Sequence, residues 1–547
     1  MGLAGHGASI GRAQMGRAGR LRGTATMRLL GAGIVAVLLV RGAFAGEAGR
    51  GADGRDARAL AARVDARLDS AWAAAKVEPV ARAEDGEFLR RASLDLVGRI
   101  PTAAEARDFL DDPDPGKRAA LVDRLLDSPA HAARAALLWR QLLLPEGGDQ
   151  GPVAAGGFDA WLGKKVAEGA GYDRIVREIL SARLVDRAGA AMVGTGTEPS
   201  PAAFYSAKGG KPETLAADSA RAFLGLRLEC AQCHNHPFAK WKREEFWGFA
   251  AFFAGVPRVA DDAAAAAVVR APRDEAGRRE LTIPGTSTVV KATHLDRSTP
   301  AWRPRLDTRE VLAEWVTAPN NPYFARAAVN RAWARFFGNG LIDPVDDLDA
   351  EGDPALAAVL GEVAGQFRDH GYDLKYLIRA LMATRAYNLT SAVVAGESTP
   401  PPMFARMPVR GLSPGQFIDS LAQATGTELG ENRGRFLELF ADRDEAATES
   451  QTSILQALTL MNGSFVAAAT GPETGNILGA IAEAPYLDTA GRVEILYLAA
   501  LSRRPKAEEK ARVVAYIDRR DAEADRSRAL ADAFWALLNG PEFRINH

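Results

Sequence analysis

The sequence predicts a mainly α-helical protein, built as two helical domains with a small β-containing segment between them. Apolar residues recur at three- and four-residue spacing along most of the 547 residues, and helix caps and prolines punctuate those runs. Only Leu281 to Val290 reads as strand and turn. The formal charge is −1 with both signs interspersed, so nothing electrostatic points to nucleic acid or an anionic membrane. Two cysteines cannot staple so long a chain, and packing must hold it together.

The elements follow in order. Leu60, Val64, Leu68 and Trp72 give a helix over about Ala57 to Ala75. Thr102 with Glu105 is a capping box opening a short helix through Phe109 and Leu110. Pro113 and Pro115 precede a helix on Leu121, Val122, Leu125 and Leu126. Ser128-Pro129 restarts the chain toward Leu137, Leu138 and Trp139, and the glycines around 147–157 are expected to form a loop. Helices through Trp161 and through Ile175, Val176 and Ile179 follow, then an irregular stretch from Arg187 to Lys211. Pro212 suits a helix start, and Leu215, Phe223, Leu224 and Leu228 are expected to carry that helix into Cys230. Further helices are expected over Leu312 to Val316, Tyr323 to Phe337 with Gly338 as cap, Leu374 to Thr384 and Gln416 to Thr425. The remaining ones run over Ser453 to Met461, Val493 to Leu501 and Leu530 to Leu538.

Residues 1–45 have the layout of a secretory signal. Arg12, Arg17, Arg20, Arg22 and Arg28 precede the apolar stretch Leu29 to Val40, and Ala43-Phe44-Ala45 offers the small residues a signal peptidase accepts. About a dozen apolar residues make a short membrane span, so export with cleavage after Ala45 is expected rather than an uncleaved anchor. This places the mature chain in the periplasm or outside the cell, with no stable membrane span. The organisation expected is a first domain over 57–256, a connecting insert over 257–305 and a second domain over 306–547.

The run Cys230-Ala231-Gln232-Cys233-His234-Asn235-His236-Pro237-Phe238 holds both cysteines of the chain. Cys-x-x-Cys-His is what covalent attachment of a c-type haem requires: two thiols a turn apart to add to the porphyrin vinyl groups, and an adjacent imidazole for iron. On that reading Cys230 and Cys233 carry the thioethers and His234 is the metal ligand. His236 is too close in sequence to reach the opposite face; Met403, Met407, Met461 and His294 are the candidates for that place. Three other readings stand beside it. A thioredoxin-like pair wants a βαβ setting, and a zinc site would have to draw its ligands from seven consecutive residues. The third is a local Cys230–Cys233 disulfide in a haem-free scaffold or binding module. The aromatics Trp241, Phe246, Trp247, Phe249, Phe252 and Phe253 follow at helical spacing, either as a cofactor wall or as core.

Several stretches together resemble a known family. They include Arg91-Ala92-Ser93-Leu94-Asp95, Leu224-Gly225 through Phe238 to Trp241, Asn321-Pro322-Tyr323-Phe324, and Asn330-Arg331-Ala332-Trp333 with Phe336-Phe337-Gly338. Asp343-Pro344-Val345-Asp346-Asp347, Thr384-Arg385-Ala386-Tyr387 and Asn539-Gly540-Pro541-Glu542-Phe543 complete the set. The chain resembles the exported planctomycete-type family in which a cytochrome c-type domain of unknown function precedes a planctomycete-specific partner domain, also of unknown function. The family has no established reaction, and its cytochrome label rests on the Cys-x-x-Cys-His motif carried here by Cys230, Cys233 and His234; on the haem reading of that motif the partner expected is an electron-transfer protein. The family commonly has an aspartate where Asn235 stands here.

The acidic run Asp343, Asp346, Asp347, Asp349, Glu351, Asp353 approaches a calcium loop, but Ala358 occupies the twelfth position, where a bidentate glutamate is needed. It reads as a solvated acidic loop. Spacing singles out no acid and nucleophile for glycoside hydrolysis, and neither a nucleophile elbow nor a phosphate-binding glycine loop is present. Whether the chain is an enzyme is left open by its sequence.

Overall fold

The helix Asp85–Val97 lies at the centre of the structure. Its residues from Phe88 to Leu96 are all buried, including the charged Arg90, Arg91 and Asp95. A helix buried around its whole circumference must be covered on every side, and the rest of the chain supplies that cover. The computed structural model of the protein describes residues 54–144, 151–184, 199–257, 277–304, 306–393, 402–428 and 476–547, with 433–434, 436–437 and 471. Side chains in the helix starting at 151 are described from 157. The signal segment, the alanine run Ala263 to Ala267 and the helix expected over Ser453 to Met461 lie outside these residues.

The described residues are mainly α-helical, as expected. Strands are confined to two small antiparallel pairs, Glu280–Thr282 with Val289–Lys291 and Arg410–Gly411 with Ile545–Asn546. The first is the hairpin read from Leu281 to Val290. Caps appear where the sequence places them: Thr102 and Glu105 exchange hydrogen bonds at 3.0 and 2.8 Å, and Ser128 caps Pro129–Leu143. The helix Phe324–Phe337 stops at Gly338. One expectation fails here. The glycines from 151 onward are not loop but the first turns of the helix Gly151–Ala167. Packing of that helix against Pro129–Leu143 overrides the cost of glycine in a helix, about 1 kcal/mol per residue.

Residues Asp56–His547 form one compact unit with two hydrophobic cores. The larger runs from Ala57 through the helices Thr308–Val316, Phe324–Phe337, Pro354–Asp369 and Leu374–Ala383. The smaller gathers Pro414–Thr425, Ile477–Glu483, Thr489–Leu501 and Glu523–Asn539 around Phe534 and Phe543. Asp85–Val97 serves both: Phe88, Leu89, Ala92 and Leu96 enter the first, Leu94 the second. Its charged residues tie in the chain's far end. Arg90 donates to the carbonyls of Ala500 (3.1 Å) and Phe543 (2.8 Å), and Arg91 to those of Tyr387 (2.7 Å) and Leu389 (3.0 Å). Asp95 accepts from Arg410 at 2.8 and 3.0 Å, from Tyr387 Oη at 2.9 Å and from Asn546 Nδ2 at 2.8 Å.

Asp95→Ala should therefore cost about 3–5 kcal/mol, because it leaves Arg410 buried without its counter-charge. Removing the exposed Arg504–Asp111 pair should cost under about 1 kcal/mol. Denaturant unfolding of the two variants checks the difference, and Asp95→Leu with Arg410→Met should recover much of the loss.

A second prediction concerns acid. His294 lies flat between Phe252 and Trp315, with ring centroids at 5.2 and 4.9 Å, and burial depresses its pKa to about 4, against a smaller opposite pull from Asp296. Burial likewise takes His131 to about 4. In the unfolded chain both titrate near 6.5, so unfolding takes up protons between these values. The stability contributed by keeping them neutral is complete above about pH 6.5 and is lost as pH falls toward 4. Asp65, raised to about 6 mainly by burial, acts in the opposite sense. His294→Phe, which keeps the stack, should show a shallower loss of unfolding free energy between pH 6.5 and 4 than wild type. An equal slope would remove His294 from this account.

Candidate functional site around Cys230 and Cys233

The helix Pro212–Ser219 continues as a π-helical turn, Ala220–Leu224, and stops at Gly225. Gly225 has φ +63°, and a Cβ there would come within 3.1–3.3 Å of Leu348 and Ala327. Only glycine fits that position. The helix therefore does not run into Cys230, contrary to the sequence expectation: Cys230 sits on a separate 3₁₀ turn, Glu229–Gln232, and Cys233 directly follows it. Leu226 and Leu228 are fully buried before the turn, and Ala231 is fully buried within it. Anchoring Ala231 inward turns its neighbours outward. Cys230 and Cys233 are exposed, without a disulfide between them, and His234 is exposed beside them.

The turn is clamped through its backbone. The Gln232 carbonyl accepts from Trp247 Nε1 at 3.0 Å and from Arg243 Nε at 3.2 Å. Arg243 also donates to Pro284 O at 2.8 Å, so the hairpin of the connecting segment braces the motif. The His236 amide donates to Trp241 O at 2.8 Å, closing the following loop. Asp349 then holds that loop to the acidic segment, accepting from Trp241 Nε1 (3.0 Å) and Lys240 Nζ (3.1 Å).

The two histidines are in different chemical states. His234 Nδ1 lies 2.7 Å from Asn235 O. A carbonyl can only accept, so Nδ1 carries the hydrogen and Nε2 presents a lone pair, the tautomer used by metal-ligating imidazoles. His236 Nδ1 instead accepts from the amides of Ala239 (2.9 Å) and Phe238 (3.3 Å). Its neutral ring therefore has hydrogen on Nε2 and no lone pair there to give.

Other residues singled out by sequence take structural roles. Trp241, Phe246, Trp247, Phe249, Phe252 and Phe253 are all buried, hence core rather than a cofactor wall. Phe238 alone is turned out, 95 % exposed. In the acidic run Asp346 pairs with Arg331, Asp349 holds Trp241 and Lys240, and Asp353 caps the helix Pro354–Asp369. Among the described residues no three of His, Cys, Asp or Glu gather as a metal cluster, so the cysteines and both histidines do not converge as zinc ligands. Met407 is buried, Met403 O accepts from Trp72 Nε1, His294 is held in its stack, and Met461 lies outside the described residues. Sequence reading missed Arg243 and Gly225 as positioning residues; the signal for Gly225 is the glycine directly behind the helix-ending Leu224.

Fold and motif together define a mainly α-helical protein with an exposed Cys-x-x-Cys-His turn, and no described helix is long and apolar enough to cross a membrane. Residues 63–258 match the family model PSCyt2, a protein of unknown function (DUF1549), and residues 308–450 match PSD1, a protein of unknown function (DUF1553). The chain belongs to this two-domain planctomycete family, with the domains in the family's order. No curated protein and no solved structure matches it.

Asn235 joins the clamp through its side chain. Its Oδ1 accepts from the Arg243 amide at 3.0 Å, in the first turn of the helix Arg243–Ala250. A carboxylate oxygen makes the same bond and adds a charge favoured at a helix N-terminus. Asn235→Asp should raise stability by roughly 0.3–1 kcal/mol at low salt, and Asn235→Leu should lower it; thermal unfolding of both reads the sign.

Proposed function

We propose that the chain is an exported c-type haem-binding protein with a redox role, exchanging electrons with a partner protein outside the cytoplasm. The observation that carries this reading is the chemical state of the turn: two exposed thiols three residues apart, followed by an imidazole whose Nε2 lone pair is free. The donor set fits a c-type haem. Cys230 and Cys233 would each add S–H across a vinyl group, forming a C–S bond with hydrogen on the neighbouring carbon. His234 would supply the nitrogen ligand to iron. The iron, when bound, supplies one-electron chemistry. The chain's own part is to hold the thiols outward through Ala231, to fix the His234 tautomer through Asn235 O, and to keep His236 out of competition through the amides of Phe238 and Ala239. The exposure of Cys230, Cys233 and Phe238 favours contact with another macromolecule at this face.

A second reading rests on the same exposure. In a haem-free scaffold or binding module, Cys230 and Cys233 would close a small disulfide after export, since thiols outside the cytoplasm meet oxidising conditions.

Expression with and without a cytochrome maturation system decides between them. The first reading expects haem stain to follow the polypeptide on a denaturing gel, to disappear in the Cys230→Ala, Cys233→Ala double variant, and to change iron spin state in His234→Ala. A wild-type protein with no Soret band from a maturation-competent host hands the motif to the disulfide. Amino-terminal sequencing of the exported form should begin at Gly46; retention of Leu29 to Val40 would mean a membrane anchor.

A further inference from the structure

Away from the cysteine turn, a cavity of about 380 Å³ lies among the helices Pro129–Leu143, Gly151–Ala167, Phe324–Phe337 and Leu374–Ala383. Its volume is within the range of small-molecule sites. The lining is mostly apolar, with Leu138, Trp139, Leu142, Phe336 and Ile378 facing it. Three polar groups among the lining residues lack the partners that such groups ordinarily have. Tyr172 is fully buried, and its hydroxyl makes no hydrogen bond. His131 is 6 % exposed; its Nδ1–H donates to Leu96 O at 3.0 Å, which leaves the Nε2 lone pair unused. Arg335 donates to Asp95 O at 2.7 Å, and no carboxylate among the described residues pairs with it. The other charged residues at the cavity are committed: Arg331 to Asp346, Lys375 to Asp127, and Asp373 to the amides capping its own helix.

Asp95 is shared: it pairs with Arg410 and also faces Arg335 and Arg134, with Asp419 acting on Arg134 as well. Burial and the neighbouring Arg134 lower the Arg335 pKa to about 9, which leaves it cationic at neutral pH. A half-buried cation held only at a backbone carbonyl, in a cavity with an unused donor and an unused acceptor, leaves polar groups short of partners in an apolar site. One kind of occupant answers all three. A carboxylate would pair with Arg335, and a further acceptor on the ligand would take the Tyr172 hydroxyl. A nearby hydroxyl would donate to His131 Nε2. An apolar chain would cover the lining.

We propose that this cavity is a binding site for an apolar hydroxy acid, with Arg335 at the carboxylate, His131 at the hydroxyl and Tyr172 as a further donor on the lining. The site is independent of the haem reading, because none of its residues belongs to the cysteine turn.

The test is calorimetric titration of the full chain with 3-hydroxydecanoate, decanoate and decanol, with Trp139 fluorescence as a second readout. Saturable binding is expected to weaken in that order. Decanol should bind at least tenfold more weakly than decanoate, since a hydrogen-bonded charge pair is worth about 1.5–3 kcal/mol. Arg335→Gln should erase the decanoate–decanol difference, and His131→Leu the preference for the hydroxy acid. Ala332→Trp, which fills the cavity, should abolish binding of all three while circular dichroism and melting temperature show a folded protein. No saturable binding to the folded wild type would overturn the proposal. Equal binding of decanol and decanoate would overturn the role of Arg335, and binding undiminished in Ala332→Trp would place the ligand elsewhere. Displacement of the acid by haemin, with a Soret band lost in His131→Leu, would assign the cavity to a porphyrin instead.

Discussion

Buried arginines spending their donors on helix-end carbonyls are the constraint on which this architecture depends. Every α-helix leaves its last four carbonyls without intrahelical partners, and a protein made of many short helices has many such ends to cover. Arg90 reaches Ala500 O in the last turn of Thr489–Leu501, and Arg410 reaches Arg335 O in the last turn of Phe324–Phe337. A guanidinium has five donors and cannot deprotonate, so one side chain can satisfy carbonyls from several elements at once. The positive charge also suits the negative end of a helix. Asp95 then neutralises part of the charge so gathered, which is why Asp85–Val97 tolerates burial of three of its ionic residues, Arg90, Arg91 and Asp95.

The same device sets the cysteine turn. Arg331, from the middle of Phe324–Phe337, donates to Arg221 O at 3.0 Å and Ala222 O at 2.6 Å, carbonyls at the end of the helix that precedes the motif. Gly225 then lets Leu348 and Ala327 approach, and Leu348 N returns a hydrogen bond to Gly225 O at 2.8 Å. The chain leaves the helix at one defined place because residues a hundred positions later hold it there. The motif of the first family segment is thus built on a helix and an acidic loop of the second. Contacts of that kind give a physical reason for the two segments to occur together.

Most helices were legible because each carries a local signal: a 3.6-residue apolar period, joined in some by a side-chain cap or a proline at the first position. The Leu281 to Val290 hairpin was legible for the same local reason. What sequence could not supply was the long-range part. Nothing local marks Arg90 as buried, since its partners lie more than 400 residues away. The Pro354–Asp369 helix was hidden because Asp353 was counted with an acidic loop, whereas its carboxylate accepts from the amides of Ala355 and Leu356 as a cap. The helix into Cys230 was overextended for the opposite reason. Its apolar period continues through Leu226 and Leu228, and the break at Gly225 depends on Ala327 and Leu348. In the site, the identities of Cys230, Cys233 and His234 were readable, but the difference between the two imidazoles was not. It arises from which backbone atoms fall beside each Nδ1.

That difference bears on what the motif can do more than its surroundings do. The aromatic residues after the cysteines could have enclosed a cofactor, and they are instead spent on the core. Any group held at the turn would therefore lie at the surface, positioned by three residues and the backbone clamp at Gln232 rather than by a pocket. Such a site gains little from burial, so its specificity must come from covalent chemistry and from the fixed tautomer of His234. The interior cavity is arranged the other way, with apolar burial in place and polar groups unspent. A single fold thus holds one site whose chemistry lies at the surface and one set in a partly open apolar cavity, joined through the helix Phe324–Phe337, whose Arg331 reaches the helix end before the first and whose Arg335 lines the second.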